Sequence, residues 1–200
     1  MRVAVCLSGQ PRSVRKTFNS IFENIIKINN ADVFIHMNYD ENNPYIEKTH
    51  LGNKDCHYTE NMINVVRELY KPVSILVEKP CDFYNPKLKS PLPRTLRIQN
   101  DNKHKNMSLD QTERHMLKQM ISMFYSIFKC NELKEKYALE NGVVYDYVIR
   151  LRFDALIRKP LYCEFLQKDC IYYQNLGQPD DLISDWINVG SNCIMNVYSS

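Results

Sequence analysis

The chain has no long apolar run, no block of like charge and no paired cysteine spacing, and each absence removes a class of protein. No stretch of about 18 or more apolar residues occurs, so no transmembrane segment is encoded. The formal charge is +3 over 200 residues. No cluster of about five or six lysines and arginines marks a nucleic-acid arm, so no nucleic-acid partner is expected and any anion binding must be local. Seven cysteines (Cys6, Cys56, Cys81, Cys130, Cys163, Cys170, Cys193) are odd in number and never spaced C-x-x-C. That pattern argues for reduced thiols in a cytoplasmic, reducing compartment and against a disulfide framework or structural zinc. Met1-Arg2 leads into only Val3-Ala4-Val5-Cys6-Leu7, too short an apolar run for a signal peptide.

What is present suits one packed domain. With 44% hydrophobic residues a chain of this length can bury a real core, and a single domain over 1–200 is expected. The new apolar run shortly before Ser200 suggests a domain cut from a longer protein. The most informative stretch is Tyr145 to Ile157, YDYVIRLRFDALI, in which an apolar run suited to a buried central strand ends in Arg150, Arg152 and Asp154. In open α/β sheets ligands bind beyond the carboxyl ends of the strands, so these three charges are predicted to face a crevice. Cations there can hold phosphate, and a carboxylate can hold a hard divalent metal that bridges it. The plain alternative is a solvated Arg–Asp pair at a strand end.

The chain opens with a β-type run, Arg2 to Leu7, followed by Ser8-Gly9-Gln10-Pro11-Arg12-Ser13 and then the helical pattern Phe18, Ile21, Phe22, Ile25, Ile26. Strand, tight turn and helix form the first unit of a nucleotide-binding α/β domain. Gly9 permits close backbone approach, and Arg12 and Arg15 stand where a helix dipole already favours an anion. A second strand is predicted over Ala31–Met37, emptying into the Asn38 to Pro44 loop at the same sheet edge. His36, alone at that strand's end, is read as a hydrogen-bonded structural residue. A short helix over Glu60–Tyr70 precedes a strand over Val73–Val77. Prolines 80, 86, 91 and 93 mark a long irregular segment from Lys79 to Asn106, suited to a lid or to disorder.

Ser108 with Gln111 forms a capping box that opens a long helix, stopped by Asn141-Gly142. Its methionines at core spacing are filler, while Gln119, Ser122 and Ser126 interrupt the stripe. A strand is expected over Cys170–Tyr173. Asp180 and Asp181 suit a turn. Asp185 directly precedes Trp186-Ile187, where it serves either as a helix N-cap or as a functional carboxylate.

Taken in order, Ser8 to Arg12, Asp32-Val33-Phe34-Ile35-His36, the Gln119–Tyr137 helix, Tyr147 to Asp154 and Ile183-Ser184-Asp185-Trp186 to Gly190-Ser191 resemble small GT-A type glycosyltransferases. Such domains occur in large DNA viruses and in bacterial surface-polysaccharide loci, and for a viral chain the compartment would be the host cytoplasm. The resemblance implies a single GT-A, Rossmann-like α/β domain with a mostly parallel central sheet flanked by helices. It implies a nucleoside diphosphate sugar as donor, a carbohydrate acceptor for glycan or polysaccharide biosynthesis, and a divalent ion, manganese or alternatively magnesium. Ser8, Gly9, Gln10, Arg12, Arg15, Asn38, Gln119, Arg150 and Arg152 would contact the nucleotide sugar. Asp154 would stand for the last aspartate of the Asp-x-Asp metal motif, with Arg152 in the place of the first. Metal or arginine stabilises the diphosphate leaving group. An inverting transfer needs a base for the acceptor hydroxyl, with Asp185 the first candidate and Asp181 the second. Two other readings stay open: a non-catalytic nucleotide-sugar or carbohydrate binding module, and a nucleotidyltransferase. The latter usually carries a longer glycine-rich loop with a lysine, whereas Ser8 to Ser13 has one glycine and none.

Overall fold

The computed structural model describes residues 1–46, 56–58, 60–81, 83, 108–174 and 186–200. The chain forms two compact units, Met1–Pro80 with Ser126–Ser200, and Cys81–Tyr125. The first holds a sheet whose strands are β1 (Val3–Gly9), β2 (Asp32–Asn38), β5 (Ser74–Glu78), β6 (Tyr147–Leu151), β7 (Tyr172–Tyr173) and β8 (Ile187–Ser191). Two-residue strands β3 (Tyr45–Ile46) and β4 (Cys56–His57) pair separately. The helices are α1 (Val14–Ile21), continued by a π-helical turn at Phe22–Ile26, then α2 (Met62–Tyr70), the long α3 (Leu109–Asn141) and α4 (Asn192–Tyr198).

The strand order is β5-β2-β1-β6-β8-β7. β5, β2, β1 and β6 run parallel, and β8 is antiparallel to both neighbours. The result is an α/β fold with a six-stranded, mostly parallel sheet flanked by helices. The connections run outward from β1 through β2 to β5 and then return to β6 on the other side. β1 and β6 therefore flank the topological switch point, where such sheets open a crevice at their carboxyl ends.

Alternation along the central strands separates two faces. Val3, Val5 and Leu7 with Val33, Ile35, Met37, Ile149 and Leu151 pack against Val14, Ile21, Val65 and Val66 of α1 and α2. Ala4, Cys6, Phe34 and Val148 face Cys130 of α3 and Met195 of α4. The helix ends follow local chemistry. Asn61 caps α2 by accepting from the Ile63 and Asn64 amides at 3.0 and 3.3 Å. Ser108 and Gln111 form the expected reciprocal cap of α3. Gly142, with φ +62°, ends α3 as the Val143 amide donates back to the Ala138 carbonyl at 2.9 Å.

The expected elements are present with shifted boundaries, and two features differ. β7 is only two residues long because it is an edge strand that touches β8 alone. The run before Ser200 becomes helix α4, which pattern reading left unassigned. Most of the 79–106 segment lies outside the described residues. Among the described residues no helix is long and apolar enough to cross a membrane.

Candidate functional site

Along the α3-facing side of the sheet, side chains become polar toward the carboxyl ends of the strands. The register aligns Asp32, Ala4 and Val148 in one row, Phe34, Cys6, Arg150 and Asn188 in the next, and His36 with Ser8 in the last. Burial does not relax as polarity rises, since Ser8, His36, Arg150 and Asn188 are all buried. Buried polar groups are costly unless satisfied, so such a row needs a reason beyond packing.

Several partners are visible. His36 Nε2 lies 2.8 Å from Glu78 Oε2, and burial lowers the His36 pKa while Glu78 opposes that shift. His36 is thus the hydrogen-bonded strand-end residue expected from sequence. Asn38 donates to Ser126 Oγ at 2.7 Å. Arg150, 2% exposed, donates through Nη1 to Asn188 Oδ1 at 3.4 Å, and the Tyr198 hydroxyl donates to the same oxygen at 3.2 Å. Burial holds the Cys130 thiol well above its usual range, and its sulfur lies 3.4 Å from the Phe34 carbonyl oxygen. The Ser8 hydroxyl is buried, at 3% residue exposure, and has no hydrogen-bond partner among the described residues.

Beyond the strand ends, Arg152 and Asp154 form a forked pair. Arg152 Nε and Nη2 donate to the two carboxylate oxygens of Asp154 at 2.9 Å each, the bidentate geometry for which guanidinium is suited. The Arg152 guanidinium lies 5.1 Å from the Trp186 ring centroid, within cation–π range. Because β8 runs against β6, it brings Trp186 to this edge, where the Trp186 carbonyl accepts from the Arg152 amide at 3.2 Å. Asp154 is buried, with a 7% exposed side chain, and Arg152 keeps 24%.

The turn after β1 occupies the same end of the sheet. Gly9 has φ +110°, a backbone state that side chains resist, and Ser13 enters α1 in the left-handed region. Gln10 accepts from Arg12 Nε at 2.9 Å. Arg15 is ion-paired with Glu60, and this lowers the Glu60 pKa. Tyr58 donates to the Pro11 carbonyl at 2.9 Å and thereby joins the turn to a cleft of about 210 Å³ lined by Tyr39, Glu41, Pro44, Tyr58, Glu60 and Asn61.

The structure therefore brings Ser8, Gly9, Arg150, Arg152 and Asp154 to one edge, with Gln10, Arg12 and Asn38 on neighbouring strand ends or turns. Arg15 is spent on Glu60. Gln119 belongs to the other unit, exposed and 2.9 Å from His115. Asp181 and Asp185 lie outside the described residues.

Sequence reading missed the residues that hold Asp154 in place. Thr17 Oγ donates to the Phe153 carbonyl, the Ile157 amide to Ser20 Oγ at 3.3 Å, and Asn24 to the Ile157 carbonyl at 2.8 Å. The ladder continues from Asn29 to the Leu161 carbonyl at 2.8 Å and from the Cys163 amide to Asn29 Oδ1 at 3.0 Å. The signal was a polar stripe, Thr17, Ser20 and Asn24, running at helical spacing between the apolar positions of α1.

Among the described residues no group of three or more His, Cys, Asp or Glu side chains is placed to hold a metal. The manganese implied by the resemblance would depend on Asp154, whose oxygens both engage Arg152. Among the described residues that donor set does not supply the several oxygen ligands a divalent cation needs. No family model matches this chain, nor does any curated protein or solved structure.

Proposed function

We propose that this chain is a GT-A type glycosyltransferase that moves a sugar from a nucleoside diphosphate to a carbohydrate hydroxyl. The observation that carries the reading is the meeting, at the switch point between β1 and β6, of the Ser8-Gly9 turn with Arg150, Arg152 and Asp154. The cleft beside that turn supports it, because Tyr58 with Glu41 and Asn61 offers an aromatic ring and polar groups of the kind a nucleoside uses.

In the inverting form of the reaction the acceptor oxygen bonds to the anomeric carbon as the bond from that carbon to the terminal phosphate oxygen breaks. The electron pair leaves with the nucleoside diphosphate and the hydroxyl proton goes to a base. Arginines at the strand ends would stabilise the negative charge on the leaving group. The base is assigned to Asp185, with Asp181 second. No step is routed through a metal. The engagement of Asp154 by Arg152 favours one second reading, a nucleotide-sugar binding module without turnover.

Thermal unfolding with a panel of nucleotide sugars, with and without manganese, tests the proposal. At least one donor should raise the melting temperature and be slowly hydrolysed, and Asp185→Asn should abolish the hydrolysis while keeping the shift. A shift with no hydrolysis by the unaltered protein selects the binding module. No response to any donor defeats both.

A further inference from the structure

We infer that the segment from Leu156 to Lys168, LIRKPLYCEFLQK, is a contact surface that seats the protein on an anionic phospholipid bilayer. Its apolar side chains divide into two sets. Ile157, Leu161 and Leu166 pack against the main core, beside buried Cys163. Leu156, Tyr162 and Phe165 are left outside, with Leu156 57% and Phe165 78% exposed. Single exposed apolar residues are ordinary, whereas several on one short segment mark a surface that something else covers.

This exposure is fixed by the backbone beneath it. The Ile157 amide donates to Ser20 Oγ at 3.3 Å, and the Asn24 side chain donates to the Ile157 carbonyl at 2.8 Å. The Asn24 carbonyl accepts from the Leu161 amide at 3.0 Å. Asn29 donates to the Leu161 carbonyl and accepts from the Cys163 amide, at 2.8 and 3.0 Å. At the far end the Tyr147 hydroxyl of β6 donates to the Leu166 carbonyl. On this held chain the Tyr162 and Phe165 rings meet edge to face at 6.0 Å. Turning them inward would break bonds to α1 and β6, so they are preorganised for a partner outside the chain.

The chemistry beside the rings selects that partner. Arg158 and Lys159 are exposed neighbours, and neither forms a hydrogen bond or ion pair with a described residue. Glu164 and Asp169 are exposed on the same surface, so the attraction comes from the adjacent cations at 158 and 159 and not from a net charge of the segment. A stable protein interface draws on roughly 20–30 residues a side and is depleted in lysine, which three apolar side chains beside Lys159 do not match. A bilayer asks for less. Leucine and phenylalanine enter the headgroup boundary, tyrosine keeps its hydroxyl in the polar layer, and each Lys or Arg near an anionic surface strengthens binding about fivefold. This surface lies apart from the Ser8-Gly9 turn, and its assignment does not depend on which reaction the protein performs.

Co-sedimentation of the full chain with vesicles tests it. Vesicles of phosphatidylcholine mixed with phosphatidylserine should carry the protein down about thirtyfold more strongly than phosphatidylcholine alone, and added salt should weaken that binding. Arg158→Gln combined with Lys159→Gln should remove most of the difference between the two vesicles. Phe165→Ser should weaken binding to the mixed vesicles about tenfold at an unchanged melting temperature, because the ring is mostly in water in the free protein. Phe165→Trp should keep the binding, and the emission of the new indole should shift to the blue when mixed vesicles are added. Absence of binding to the mixed vesicles at low salt, or binding that these substitutions leave unchanged, overturns the inference. So does sedimentation velocity showing a dimer that Phe165→Ser dissociates, since a second copy would then be what covers the surface.

Discussion

The two faces of the central sheet are built from the same strands and differ in kind. Toward α1 and α2 every inward position is apolar from end to end, through Val3, Val5, Leu7, Val33, Ile35, Met37, Ile149 and Leu151. Toward α3 and α4 the face begins at Ala4 and Val148, with Asp32 beside them paired to Arg2, and ends at Ser8, His36 and Arg150 without becoming exposed. Residues 149 and 150 are neighbours in the chain, both buried, and face opposite sides of the sheet, one apolar and the other charged. The difference teaches that polarity in this sheet is graded along the strand direction on one side only, toward the end where parallel sheets bind ligands.

Substitutions at those adjacent positions would break that comparison most sharply. Ile149→Ala removes a fully buried side chain and should cost about 2–5 kcal/mol of stability in urea unfolding, leaving the affinity of the folded protein for a nucleoside diphosphate unchanged. Arg150→Met keeps much of the volume and should change stability by less than about 2 kcal/mol. Its nucleoside diphosphate affinity, read by calorimetry, should fall about a hundredfold. The reverse pattern would show that the polar face is structural.

Thr17→Val tests the ladder from the apolar side. Losing the bond to the Phe153 carbonyl should cost about 1 kcal/mol in unfolding, with ligand affinity falling, unlike in Ile149→Ala. Ser8→Ala should be neutral or slightly stabilising, by up to about 1 kcal/mol, because it removes a buried hydroxyl with no partner among the described residues, while affinity drops several-fold.

The smallest effect concerns His36. Its folded pKa is lowered, by burial first and against the opposing pull of Glu78, with Lys129 lowering it further. The folded state therefore holds fewer protons than the unfolded state in the window below the ordinary histidine pKa. Stability is fully present above that value and is lost as pH falls through the window toward the depressed folded value. Urea unfolding at a series of pH values should show that slope in the unaltered protein and a flatter one in His36→Gln. An equal slope in both would locate the proton uptake elsewhere.

Much of this was legible in the sequence. Short apolar runs without helical spacing placed β1, β2, β5 and β6, and the Ser108–Gln111 box and Asn141-Gly142 bounded α3, because these are local effects of short-range chemistry. The Arg150–Arg152–Asp154 run stood out in the sequence as a candidate because three charges are a poor way to finish a buried strand. What could not be read was pairing at long range. Nothing local in Ile187–Ser191 says that it inserts antiparallel between β6 and β7; the Arg–Asp pair at the end of β6 was one of the two readings of that stretch, but its burial and the Trp186 ring beside Arg152 were not. Arg15 was expected at an anion site and is engaged by Glu60, 45 positions along the chain, a partner that no spacing rule nominates.

The ladder between α1 and the 153–163 segment makes the first helix a ruler. Thr17, Ser20 and Asn24 meet fixed carbonyls and amides across from them, so inserting one residue after Ser20 would rotate Asn24 by about 100° and strip its rung. A single added residue inside α1 would therefore be felt at Phe153 and its neighbour Asp154, beyond the end of β6.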